Sequence, residues 1–193
     1  MKIILVHGIF DNGSLFKTLM QDLGKHGYEC FAPSLQPADA RLGIADLSQK
    51  LDATIQQGCG AEEPIAIIGF SMGCLIARHY LQERGGYQRT KAFFAISGPH
   101  HGSLLAHLFT GQGAVDMRPG SAFLTRLDTT EHRLSHMSLY AYHTPFDLMI
   151  LPSSSAEWPL ANNLKVNALA HPLMLSNQAV RSHIREILDQ IMH

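Results

Sequence analysis

The chain has 193 residues, 46% of them hydrophobic and only 16% charged, with a formal net charge of −1 at neutral pH. That balance excludes a disordered chain and gives one domain, 1–193, room for a substantial core. It also leaves no global field to draw in nucleic acid or an anionic membrane, so neither is an expected partner. No apolar run reaches the length of a membrane span, so none is expected. The opening MKIILVHG passes from one lysine straight into a short apolar run, as a first core strand does and a secretory leader does not. Cytoplasmic location is therefore the expectation. Three cysteines, Cys30, Cys59 and Cys74, lack framework or zinc spacing and read as small core residues. The 12 histidines are scattered without a metal-binding pattern, and no metal site is expected.

In chain order, Ile3, Ile4, Leu5 and Val6 form a continuous apolar run, a strand over Met1–His7 buried on both faces. Asp11-Asn12-Gly13 is turn chemistry, and Asn12 or Ser14 can cap a helix carrying Leu15, Leu19 and Leu23 on one face. Tyr28–Ala32 gives a short second strand. Residues 40–57 hold Leu47, Leu51 and Ile55 at helical spacing, ended by Gly58 and Gly60. The stretch Ile65–Ala77 follows, with an apolar run, Gly69-Phe70-Ser71-Met72-Gly73, and a helical pattern that lasts to about Arg84. Lys91–Ser97 is another buried strand. Residues 100–136 are irregular, with several glycines and short apolar clusters, as in an insertion with short helices over one end of a sheet. Met137–His143 and Leu164–Leu169 read as the last two strands. A final helix shows Val180, Ile184, Ile187 or Leu188, and Ile191 on one face.

Strands alternating with helices imply βαβ units, hence an α/β fold with a mainly parallel six-stranded sheet and helices on both faces, three layers in all. Ligands in such sheets bind beyond the carboxyl ends of the strands. That edge gathers His7-Gly8-Ile9, Ser71, Gly98–Gly102, Asp147 and His171.

A serine hydroxyl becomes a nucleophile when an imidazole takes its proton and a carboxylate orients the imidazole. Ser71 sits between glycines at a strand-to-helix turn, which lifts its hydroxyl clear of the sheet. Asp147 follows a strong strand, whereas its rivals Asp116, Asp128 and Glu157 lack that position. His171 lies on a loop, while His143 and His183 fall inside a strand and a helix. The Met72 and Ile9 backbone N–H groups are placed to receive an oxyanion. His7 suits a bracing role in the Ile9 loop.

The chain resembles a small α/β-hydrolase of the bacterial lipase and esterase type, especially the compact forms that lack the first two strands of the larger fold. The resemblance rests on HGIF at His7–Phe10, GFSMG at Gly69–Gly73 and GPHHGS at Gly98–Ser103. RPGSAFL at Arg118–Leu124, the Asp147 loop in TPFDLMILP and the His171 loop in AHPLMLS extend it over essentially the whole chain. The GPHHGS form departs slightly from the commoner threonine-proline-histidine form, which bears on substrate fit. The resemblance implies the α/β-hydrolase fold, with Ser71 as nucleophile, Asp147 as acid, His171 as base and Ile9 with Met72 as oxyanion donors. It further implies a serine ester hydrolase, a carboxylesterase or lipase working through an acyl-enzyme on a small-molecule ester or lipid, with no cofactor. Acyl transfer by the same triad and a non-catalytic binding module are the alternatives. Phe10, His100, His101 and Leu104 are candidate substrate contacts, the histidines being equally compatible with a surface-loop role. Residues 100–136 suit either an apolar lid or an ordinary satellite cluster packed on the sheet, and oligomeric state stays open.

Overall fold

Ile3 to Val6 are apolar at every position because helices cover both faces of their strand. In the computed structural model, which describes residues 1–60 and 63–192, this strand is β1 (Lys2–Val6). It is joined by β2 (Glu29–Phe31), β3 (Ile65–Phe70), β4 (Thr90–Ile96), β5 (Ser138–His143) and β6 (Asn162–Lys165). The strand order is β2-β1-β3-β4-β5-β6, and every neighbouring pair is parallel.

Alternation along the strands sends side chains to two separate cores. Ile4, Val6, Ile67 and Phe93 meet α2 (Ile44–Gly58) and α3 (Met72–Glu83) on one face. Ile3, Leu5, Ile68 and Phe94 meet α1 (Lys17–Lys25) and α6 (Gln178–Met192) on the other. The helix contacts are the residues whose spacing marks each apolar face: Leu47, Leu51 and Ile55 on α2, and Val180, Ile184 and Leu188 on α6. Truncating one such leucine or isoleucine to alanine costs about 2–5 kcal/mol. The Asn177 side chain accepts from the N–H groups of Ala179 and Val180 and so caps α6. Asn12 accepts from Ser14 N–H and caps a 3-10 turn, Gly13–Phe16, that leads into α1.

The sixth strand lies earlier than the expected Leu164–Leu169. Its pairing starts at Asn162 opposite Tyr140 and ends at Lys165 opposite His143. As an edge strand it is largely exposed, so polar residues serve as well as apolar ones, and hydrophobic patterning misplaces it. Val166 N–H still donates to His143 O at 2.9 Å, after which the chain turns towards His171.

The 100–136 insertion contains α4 (Gln112–Asp116) and α5 (Ala122–Thr130) with 3-10 turns at Leu104–Leu108 and Glu131–Leu134. Two latches hold it. Helix α2 begins at Gly43, which has no side chain to cap it, and the Asp116 carboxylate accepts from Ile44 N–H at 2.9 Å instead. Gly113 N–H donates to Ala40 O at 2.9 Å beside it. The second latch is Arg78 of α3, fully buried with its guanidinium 4.8 Å from the Trp158 ring centroid and within 3.3 Å of Asp128 and 3.5 Å of Glu131. No helix among the described residues is long and apolar enough to cross a membrane.

Candidate active site

Strand β3 ends at Phe70 and helix α3 starts at Met72, which leaves Ser71 alone to make the turn. It does so at φ 54° and ψ −127°, a conformation that strains any residue with a Cβ. The neighbouring elements force this. A Cβ on Gly73 would stand 2.0 Å from Val6 O, and one on Gly69 would stand 2.9 Å from Cys74 Cα. Gly73 lets α3 come this close to β1, and Gly69 lets α3 fold back this close onto β3. Ser71 N–H donates to Ile96 O at 2.9 Å, which ties the turn to the end of β4.

The loops after β5 and β6 bring Asp147 and His171 together, 24 residues apart in sequence. His171 Nδ1 lies 2.7 Å from Asp147 Oδ2, and both side chains are buried. Asp147 Oδ1 accepts from the N–H groups of Met149 and Ile150, each at 2.9 Å. Burial pushes the Asp147 carboxyl upward in pKa. The His171 hydrogen bond and charge, with the two backbone donors, outweigh it and hold Asp147 below the usual carboxylate range. An ionised Asp147 fixes the proton of neutral His171 on Nδ1 and leaves Nε2 as the basic nitrogen. The His171 ring packs against Phe70, the residue before Ser71, with centroids 4.8 Å apart. Ser71 Oγ and His171 Nε2 share this edge but are not hydrogen-bonded to each other. Such bonds commonly tighten only when substrate is seated.

Two donors sit opposite. Among the described residues the N–H groups of Ile9 and Met72 find no hydrogen-bond partner, Met72 because it opens a helix. His7 fixes the Ile9 side. It is fully buried, its Nε2 accepts from Leu35 N–H at 2.9 Å, and its Nδ1 therefore donates to Gly8 O at 2.9 Å. Holding the Gly8 carbonyl on one side of the Gly8–Ile9 peptide aims the Ile9 N–H the other way.

Beside Ser71 lies a cavity of about 350 Å³ whose wall includes Ile9, Phe10, Pro99, Ala114, Met117 and Ile150. Phe10 lies on it. His100, His101 and Leu104 do not. His100 is fully buried and stacked on Trp158, ring centroids 4.6 Å apart, with both ring nitrogens lacking a partner. Burial, and then the charges of Arg78 and His101, press its pKa well below the ordinary histidine value. His101 and Leu104 face outward, and the neighbouring Leu105 and Ala106 line the cavity instead. A 3-10 turn decides which side chain points inward, and no single-sequence periodicity resolves so short an element.

Thr144 is a residue that sequence reasoning missed. Fully buried, its hydroxyl donates to Ala168 O at 2.7 Å and joins the Asp147 loop to the His171 loop. Its place at the start of a Thr-Pro-Phe-Asp turn is the signal that was available.

A model of the alpha/beta hydrolase fold matches residues 2–187. No curated protein sequence matches the chain. Among solved structures, a Bacillus licheniformis lipase in its mature form superposes with a TM-score of 0.77 at 17% identity, over 97% of this chain and 91% of that one. Aspergillus fumigatus lipase B gives 0.76 at 17% identity, over 93% of this chain and 50% of its own. A pyrethroid hydrolase of Sphingobium faniae gives 0.66 at 14% identity, over 98% and 97%. At these identities the likeness is one of fold.

Proposed function

The chain belongs to the alpha/beta hydrolase fold family, and on that premise we propose that it is a serine hydrolase of carboxylic esters. The observation that carries the reading is the His171–Asp147 pair at 2.7 Å, set beside a serine held in a strained turn. In this reading His171 Nε2 takes the Ser71 Oγ proton as Oγ attacks the ester carbonyl carbon. Negative charge collects on the former carbonyl oxygen, where the Ile9 and Met72 N–H groups receive it without reorganising. Collapse breaks the bond to the alkoxide, which leaves with the proton from His171. Water then repeats the sequence on the acyl-enzyme, with His171 again taking the proton, and the acid departs. Asp147 remains ionised throughout and stabilises the imidazolium.

Lipase and esterase neighbours of the same fold, and an apolar cavity at the serine, support an uncharged small-molecule ester as substrate. The test is labelling with a fluorophosphonate probe followed by intact mass and peptide mapping. Wild type should gain one adduct on Ser71, and Ser71→Ala none. Folded wild-type protein that stays unlabelled would sink the reading.

A further inference from the structure

The cavity of about 350 Å³ takes Ser71, Ile9 and Phe10 into its wall but neither His171 nor Asp147. A leaving alkoxide must face the histidine that protonates it. The part of an ester that enters a cavity away from His171 is therefore the acyl part. No charged side chain lines this space. The Ser103 hydroxyl in the wall is already satisfied, donating to Met149 O at 2.9 Å and accepting from Leu151 N–H at 3.0 Å. A hydrocarbon tail leaves no polar group stranded on entering, whereas a charged or hydroxylated tail would.

A second cavity, of about 280 Å³, shares Ile9, Phe10, Phe109 and Ala114 with the first and adds Asp39 and Arg41. Between the two stand the rings of Phe10 and Phe109, centroids 6.3 Å apart. Phe10 is rigidly placed for this. Its backbone sits at φ 62°, in the left-handed region, and its N–H is held by Ala38 O at 2.8 Å. Phe109 comes from the insertion, where the Arg118 guanidinium donates to its carbonyl oxygen at 3.0 Å.

We propose that the Phe10–Phe109 pair is the end wall of an acyl pocket and sets the length of the chain that Ser71 accepts. This rests on the ester-hydrolase reading above. A group the size of a water molecule takes ~30 Å³ of liquid volume, so the first cavity of about 350 Å³ caps an unbranched chain at roughly a dozen carbons. Past the wall the chain end meets Asp39 and Arg41, whose side chains pair at 3.4 Å and put charge in the wall of that chamber. The alcohol part leaves on the His171 side, where Leu169 and Leu173 are exposed, and the wall does not gate it.

The experiment compares two ester series on wild type, Phe109→Ala and Phe109→Trp. One series varies the acyl chain from acetate to palmitate on nitrophenol, and the other varies the alcohol on acetate. Wild-type kcat/KM should rise by about fourfold per methylene, the equivalent of ~0.8 kcal/mol, and fall once the pocket is full. Phe109→Ala should raise kcat/KM for the longest acyl chains relative to acetate by about tenfold or more, with Phe109→Trp moving the optimum to shorter chains. Phe109 is half exposed, so neither change needs the core to repack, and melting curves check this. An unchanged acyl profile in both variants, or a shift in the alcohol series instead, overturns the proposal. Wild type that labels at Ser71 yet shows a flat acyl profile overturns the pocket alone. Wild type that does not label overturns the hydrolase reading and the pocket with it.

Discussion

The Thr144 hydroxyl and the Ala168 carbonyl oxygen, 2.7 Å apart and buried, are a second direct link, beside the His171–Asp147 pair itself, between the loops that carry Asp147 and His171. One hydrogen bond thus spans two strand ends and sets where Asp147 meets His171. Thr144→Val keeps the shape and removes the donor, leaving a buried carbonyl unpaired at a cost of about 1–3 kcal/mol. Ester turnover should show kcat reduced roughly ten- to a hundredfold with little change in KM, because the pair is misplaced and not the cavity. Thr144→Ser should restore most of it. Equal losses in kcat for Val and Ser, at equal stability, would count against the bond.

Asp147→Asn tests the orientation of His171. The amide can still accept from Met149 and Ile150 through one oxygen, so the loop should keep its shape. Its NH₂ faces Nδ1 and favours the tautomer with the proton on Nε2. We expect kcat to fall by about a thousand- to ten-thousandfold while circular dichroism stays native.

Gly73→Ala tests how the elbow is packed. The added Cβ would meet backbone oxygen of β1 at 2.0 Å, which no rotamer change can relieve. The strand or the helix must move, at a cost of about 1–3 kcal/mol or more, and urea midpoints should show it. Gly24→Ala is the control, since nothing lies within 4 Å of a Cβ there. Its helical position should make it neutral or slightly stabilising.

His100 makes stability depend on pH. Its pKa is well below the ordinary value in the folded protein, chiefly through burial, and returns to about 6.5 on unfolding. Below that pH the unfolded chain binds a proton that the folded one refuses, so stability falls as pH drops, by at most about 1.4 kcal/mol per unit. The charges of Arg78 and His101 work in the same direction. His100→Phe keeps the stack on Trp158 and removes two unpartnered nitrogens. Its stability relative to wild type should therefore stay level from pH 8 to about pH 7 and improve progressively below about pH 6.5 down to pH 5 in chemical denaturation. A difference that does not change with pH would refute the role of His100.

Much of this architecture is written in local pattern. The runs Ile3–Val6 and Ile65–Phe70 must be strands covered on both faces, and the glycines around Ser71 announce a turn that only glycine permits. Strand ends then locate Asp147 and His171 on one edge without any knowledge of contacts. What sequence did not resolve depends on partners distant in the chain. The position of β6 is set by pairing with β5 and not by its own hydrophobicity. His100, judged by its neighbours, reads as a pocket residue, yet Trp158, 58 residues on, draws its ring under the loop. Thr144 draws its importance from Ala168, which no spacing rule connects to it. Residues 112–116 and 122–134 are latched to α2 and α3, so this part of the insertion is packed as a satellite cluster, with Leu105–Phe109 turned over the cavity.

Asp116 caps a helix that begins 72 positions before it. The first turn of α2 is therefore completed by the docked insertion, and the segment over the cavity is tied into the scaffold beneath it. Excising or exchanging that segment wholesale would leave α2 with an open end. Change of substrate range, by evolution or by engineering, has its easiest route through single side chains on the cavity wall, while the loop that bears them stays in place.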